Sequence, residues 1–107
     1  MTVRVSGKHM EVGEALPQHV RDRLGETLEK HFDRGSSATV VFSKVRTGIH
    51  VDCHIHLDAG LDIQAEGSGD DAYRAFDQML KHVSTQAQKR MEKLKDHHEK
   101  KTSKDAL

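Results

Sequence analysis

The residues able to do chemistry in this 107-residue chain fall into three groups. The first is cationic. Arg74, Lys81, Lys89, Lys93 and Lys95 recur at spacings that keep them on one side of a helix. Ammonium and guanidinium groups held at rigid intervals engage successive phosphates, an attraction that ignores sequence and weakens with salt. The second group is histidine: His50, His54 and His56 alternate along one segment, with Asp52 between them. Histidines two apart on a strand can chelate a metal, but a solvated polar sheet face explains the pattern better, and no second Cys/His cluster has finger-like spacing. The third group is nucleophilic. Cys53 is interleaved with those histidines, so strand alternation turns it the opposite way, into a core where a thiol behaves as a small hydrophobe. Asp70-Asp71 and Asp58/Asp62 fit capping and solubility, and Gly67-Ser68-Gly69 is too short to cradle a phosphate. No catalytic residue, cofactor or metal site is expected.

The elements that must position these groups can be read from period. Val3 and Val5 alternate with polar neighbours, as in a half-buried strand over residues 2–6 that Gly7 ends. Leu16, Val20, Leu24, Leu28 and Phe32 form an apolar stripe, so residues 14–32 read as a helix, with Pro17 in the first turn where its missing N–H costs least. Three strands come next at residues 38–45, 49–57 and 61–66, joined by tight turns at Thr47-Gly48 and Asp58-Ala59-Gly60 that imply antiparallel neighbours. Residues 67–70 break the sheet, and Ser68 or Asp70 can cap a helix that starts beyond them. Phe76, Leu80, Val83, Ala87 and Leu94 mark that helix, a long one over residues 71–96. The order β-α-β-β-β-α predicts an α+β two-layer sandwich, a four-stranded sheet with both helices on one face. The other face would carry His50, Asp52, His54, His56, Asp62, Gln64 and Glu66. Residues 1–97 form one domain in this reading, and residues 98–107 a flexible charged tail or the start of a linker.

Composition narrows the function classes. The 17 basic and 17 acidic residues cancel, yet residues 1–73 carry a balance of −4 and residues 74–107 a balance of +4. The polar sheet face is acidic and the long helix basic, so the molecule presents one side to something anionic. The run Val40-Val41-Phe42 is the longest of large apolar residues, which excludes a membrane-spanning helix. No signal-length apolar stretch accompanies Arg4 and Lys8, and the single cysteine cannot pair internally, so a reducing cytoplasm is expected. Phe32, Tyr73 and Phe76 fall on or beside apolar seams and look like core. With no aromatic platform to stack bases, structured RNA gripped along its backbone fits better than single strands.

Three segments resemble a known family: residues 6–12 (Ser-Gly-Lys-His-Met-Glu-Val), His19-Val20 with Asp22-Arg23-Leu24, and residues 71–77 (Asp-Ala-Tyr-Arg-Ala-Phe-Asp). They resemble the ribosome hibernation-promoting factors, which include the ribosome-associated inhibitor and proteins once labelled sigma-54 modulation proteins. The resemblance covers residues 2–96. It implies a β-α-β-β-β-α fold and binding to the small ribosomal subunit, to its rRNA with ribosomal proteins in reach, in the channel used by mRNA and tRNA. Initiation would be blocked there by occupancy in stationary phase, without a small-molecule substrate or a membrane. Carried over, Lys8, Arg23, Lys89 and Lys93 are the expected rRNA-binding residues, and helix geometry adds Lys81 and Arg90. Where relatives commonly read Lys-Leu-X-Arg-Gln-Leu, this chain has His82-Val83-Ser84-Thr85-Gln86-Ala87, which shifts the expected charge to Lys81 and Lys89. Long members carry a further domain that pairs ribosomes, and residues 95–104 fit either the end of a short form or a linker to such a domain. The alternative reading is a protein-interaction module acting on a transcription factor of the sigma-54 type, docked on the acidic sheet face or a strand edge.

Overall fold

The computed structural model describes residues 2–29, 36–57, 60 and 62–106; the side chains of residues 29 and 90–106 lie outside the described set. The elements are β1 (Thr2–Lys8), α1 (Ala15–Glu29), β2 (Ser37–Val45), β3 (Gly48–His56), β4 (Asp62–Gly69) and α2 (Ala72–Ala106). The four strands form one sheet in the order β1-β2-β3-β4. This is the expected α+β sandwich, with the helices packed on the apolar face of the sheet. Among the described residues, no helix is long and apolar enough to cross a membrane.

Strand direction depends on what joins the strands. β2, β3 and β4 are consecutive and antiparallel, with Val40 opposite Cys53 and Cys53 opposite Ala65. β1 and β2 are joined through α1 and run parallel, with Val5 opposite Val40. A parallel pair needs such a crossover because the chain must return to the same end of the sheet.

Alternation then sorts the side chains. Val40, Phe42, Val51, Cys53, Ile55, Ile63 and Ala65 point inward and are buried against Leu16, Val20, Leu24 and Leu28 of α1 and Phe76, Met79, Val83 and Ala87 of α2. Met79 and Ala75 join this core in addition to the expected seam. Phe32 and Leu61, assigned by period to core or strand positions, lie outside the described residues, and so does the side chain of Leu94. Tyr73 differs from the expectation: it is 44% exposed, because its position rotates it to the rim between the helices. There His19 of α1 meets the rings of Tyr73 and Phe76 edge-on, at centroid distances of 5.1 and 5.5 Å.

β4 corrects the reading of residues 67–70 as a break. The strand continues through Gly69, and the inward positions shrink in order: Ile63, Ala65, Gly67. A Cβ on Gly67 would collide with the Ala75 carbonyl and the Met79 amide, and one on Gly69 would lie 2.8 Å from the Ala75 nitrogen. The glycines therefore let α2 lie directly on the strand. The cap is also one residue along from the expected candidates. Asp71 Oδ1 accepts from the Arg74 amide at 2.9 Å, which makes Asp71 the N-cap of α2. β1 and β4 both extend further than expected, α1 is described over Ala15–Glu29 with the rest of its expected span outside the described residues, and α2 runs on to Ala106.

Overpacking at a closed contact and filling at an open one should have opposite signs. Gly67→Ala should lower the unfolding free energy by about 1–3 kcal/mol. Gly25→Ala, inside α1 with nothing within 4 Å of the added methyl, should raise it by about 0.5–1 kcal/mol. Urea unfolding of the two variants beside the parent checks both.

Candidate nucleic-acid interface

The solvent side of α2 is the side left over once the core and the sheet edge have been served. Phe76, Leu80, Val83 and Ala87 take the core, Arg74 and Lys81 are exposed on the opposite side, and Lys89 is exposed on the meridian of Gln78 and His82, just beyond Gln86. The flank between them is occupied by Gln78, His82 and Gln86, a row four residues apart that lies along β4. Gln78 Oε1 accepts from the Ser68 amide at 2.7 Å, His82 Nδ1 donates to the Glu66 carbonyl at 2.7 Å, and Gln86 Nε2 donates to the Gln64 carbonyl at 2.6 Å. Sequence reasoning missed this row. Its one signal was a polar period of four beside the apolar seam. His82 and Thr85, where the resemblance leads to an expectation of basic residues, are both bonded to backbone: Thr85 Oγ1 donates to the Lys81 carbonyl at 3.0 Å.

The expected cations separate into distinct settings. Lys81 and Lys89 are exposed on α2 and have no ion-pair partner among the described residues. Arg23 is exposed on α1 and reaches Glu26 at 3.7 Å, a solvent-screened pair of small worth that leaves the guanidinium available. Lys8, at the end of β1, is exposed too, but its place in the alternation with the inward Val3 and Val5 sets it on the open sheet face, away from the helix layer. Arg90 and Lys93 lie on the α2 backbone, and their side chains are outside the described residues. Arg74 is drawn to the helix start, with Asp71 at 3.8 Å and Asp70 at 4.0 Å. The α1–α2 ring contacts at His19 hold Arg23 and the α2 lysines in one layer.

The open sheet face has the opposite character. Asp52, Asp62 and Glu66 are exposed on it, among His50, His54, His56 and Gln64. The histidines do not gather as one ligand set. His56 Nδ1 and His54 Nε2 both reach Asp62 Oδ1, at 2.9 and 3.6 Å, while His50 Nε2 turns to Asp52 Oδ1 at 3.3 Å. The hydrogen bond from His56, with the positive field of His56 and His54, lowers the Asp62 pKa below the ordinary carboxylate value. No Phe or Tyr ring lies on this face among the described residues, since Phe42 points into the core.

Cys53 is buried beneath the histidines and not beside them, and burial pushes its thiol pKa up to about 12. It has neither a base nor the thiolate fraction that nucleophilic work needs.

The family whose model matches residues 3–95 is described as sigma 54 modulation protein / S30EA ribosomal protein. Among curated relatives, a ribosome hibernation promotion factor of Bradyrhizobium diazoefficiens is 41% identical over 96 residues, 90% of this chain and 47% of the relative. One from Rhizobium meliloti is 37% identical over 98 residues, 92% of this chain and 52% of the relative. The ribosome hibernation promoting factor of Escherichia coli is 31% identical over 97 residues, 91% of this chain and 100% of the relative. The chain therefore spans about half the length of the two rhizobial relatives and the whole of the Escherichia coli one. The N-terminal domain of Thermus thermophilus Protein Y has the same fold, with a TM-score of 0.75 at 22% identity over 83% of this chain and 98% of that one. A ribosomal subunit interface protein from Coxiella burnetii is similar, with a TM-score of 0.73 at 21% identity over 83% of this chain and 96% of that one.

Iodoacetamide at neutral pH should leave Cys53 unmodified over hours in the native protein and alkylate it within minutes in denaturant. Mass spectrometry of the two time courses checks this, and rapid native labelling would show the thiol to be exposed or ionised.

Proposed function

The chain belongs to the sigma 54 modulation protein / S30EA ribosomal protein family, and from that premise we propose that it is a ribosome hibernation factor that occludes the small subunit. In this reading the helix layer is laid against rRNA in the mRNA–tRNA channel, and occupancy alone stops initiation in stationary phase. The observation that carries the proposal is the pair Lys81 and Lys89, exposed on α2 without internal neutralisation among the described residues. Arg23 extends the contact onto α1, and Arg90 and Lys93 prolong it along α2. Lys8 makes a separate contact from the end of β1, at the margin of the domain. The relatives named for ribosome hibernation and the subunit interface protein support the partner. The mechanism needs no bond made or broken.

Charge sorting supports the orientation. Phosphate oxygens repel the carboxylates of Asp52, Asp62 and Glu66, so the sheet face turns outward when the helices face RNA. An electrostatic grip of this type exchanges protein cations for condensed counterions, which makes it steeply salt-dependent.

Sedimentation with purified small subunits across a salt series tests the reading. With about six phosphate contacts, affinity should fall roughly a thousandfold between about 50 and 200 mM monovalent salt. The double variant Lys81→Glu/Lys89→Glu should no longer co-sediment, and its thermal midpoint should move by less than about 4 °C, as for exposed substitutions. Salt-independent binding, or binding that survives both charge reversals, would refute the helix-layer grip. Loss on replacing Asp62 instead would place the partner on the sheet face.

A further inference from the structure

A second feature lies on the open sheet face, apart from the helix cations. Asp52 of β3 and Glu66 of β4 are directly opposed in the antiparallel register, and His50 is two residues before Asp52 on the same side. One ligand atom from each of these three side chains falls within 4.8 Å of the other two. Positions i and i+2 on one strand, plus the cross-strand neighbour, put three donors at the corners of one small triangle. A first-row divalent ion with bonds of about 2.0–2.2 Å spaces its ligand atoms roughly 3.5 Å apart. Small side-chain rotations close the remaining gap, and the backbone need not move.

Three further observations favour a cation here over a chance meeting of polar groups. Carboxylates directly opposed across a strand pair repel, and this pair lies in a groove whose lining contains no Lys or Arg among the described residues. His50 is partly buried, its side chain 32% exposed, so its ring is restrained toward Asp52, with Nε2 3.3 Å from Oδ1. The groove continues from the triangle to Gln78, His82 and Gln86, leaving room for water in the open coordination positions. The donor set, one imidazole and two carboxylates, suits zinc, cobalt and manganese better than calcium or magnesium, which prefer all-oxygen sites.

We propose that His50, Asp52 and Glu66 form a surface site for one first-row divalent transition-metal ion. The ion neutralises the opposed carboxylates and joins β3 to β4 through side chains as well as backbone. The set differs from one built on His50, His54 and His56, because His54 and His56 turn to Asp62. The inference does not depend on ribosome binding and stands or falls separately.

The test uses the whole chain without a histidine tag, titrated with Zn²⁺ by calorimetry and with Co²⁺ by visible absorption. One equivalent should bind, and excess Zn²⁺ should raise the thermal midpoint. Asp52→Asn and Glu66→Gln should each weaken that site at least about tenfold. Both are isosteric and exposed, and the metal-free variants should unfold no earlier than the parent because the repulsion is gone. His56→Ala should keep the site. No saturable binding below millimolar metal would overturn the proposal. So would affinity indifferent to Glu66→Gln, or affinity lost only on replacing His56.

Discussion

Everything of functional interest here depends on how closely α2 lies on β4. The inward side chains of the strand diminish from Ile63 through Ala65 to no side chain at Gly67, and the helix occupies the space they leave. That contact fixes the rotation of the helix about its own axis. With Phe76, Met79 and Val83 locked into the core and Gln78, His82 and Gln86 bonded along the strand margin, Lys81 is left to the far side and Lys89 to the exposed turn beyond Gln86. The cations are exposed because the rest of the helix circumference is taken.

The same packing divides the charge of a chain whose formal net charge is zero. Lysines face solvent on one side, and carboxylates interleaved with histidines cover the other. A sandwich with one core must expose the outer side of each layer, so each layer carries its own field. Neutral composition therefore hides a local sorting of charge, Lys81 and Lys89 on α2 against Asp52, Asp62 and Glu66 on the sheet face. Lys8 belongs to neither pattern and sits at the rim, on the sheet face.

Features that repeat in sequence were legible there. Leu16, Val20, Leu24 and Leu28 announce α1 by period, and the alternation from Val51 to Leu57 assigns Cys53 to the core and Asp52 to solvent. Lys81 and Lys89 come from the same helical arithmetic. Features that depend on backbone atoms were not legible. Gly67 and Gly69 look like a break because glycine carries no hydropathy signal, and only the approach of Ala75 and Met79 explains them. The bonds of His82 and Gln86 end on carbonyls, which have no letter in the sequence. Asp71 stood beside other capping candidates, and only geometry separates it from Ser68 and Asp70. The meeting of Asp52 with Glu66 needs the strand register, which depends on the loop between β3 and β4. The side of Lys8 could have been read by counting from Val3 and Val5, whereas the family resemblance points to charge without direction.

The bonded row along the outer margin of β4 also governs self-association. Strands of separate molecules can zip together only where amides and carbonyls are unclaimed, and open-ended growth needs two such margins per molecule. Here the Gln64 and Glu66 carbonyls and the Ser68 amide are already bonded to the helix, so this margin offers another strand only part of its groups. The helix thereby guards that margin with Gln78, His82 and Gln86, the same side chains that fix its rotation.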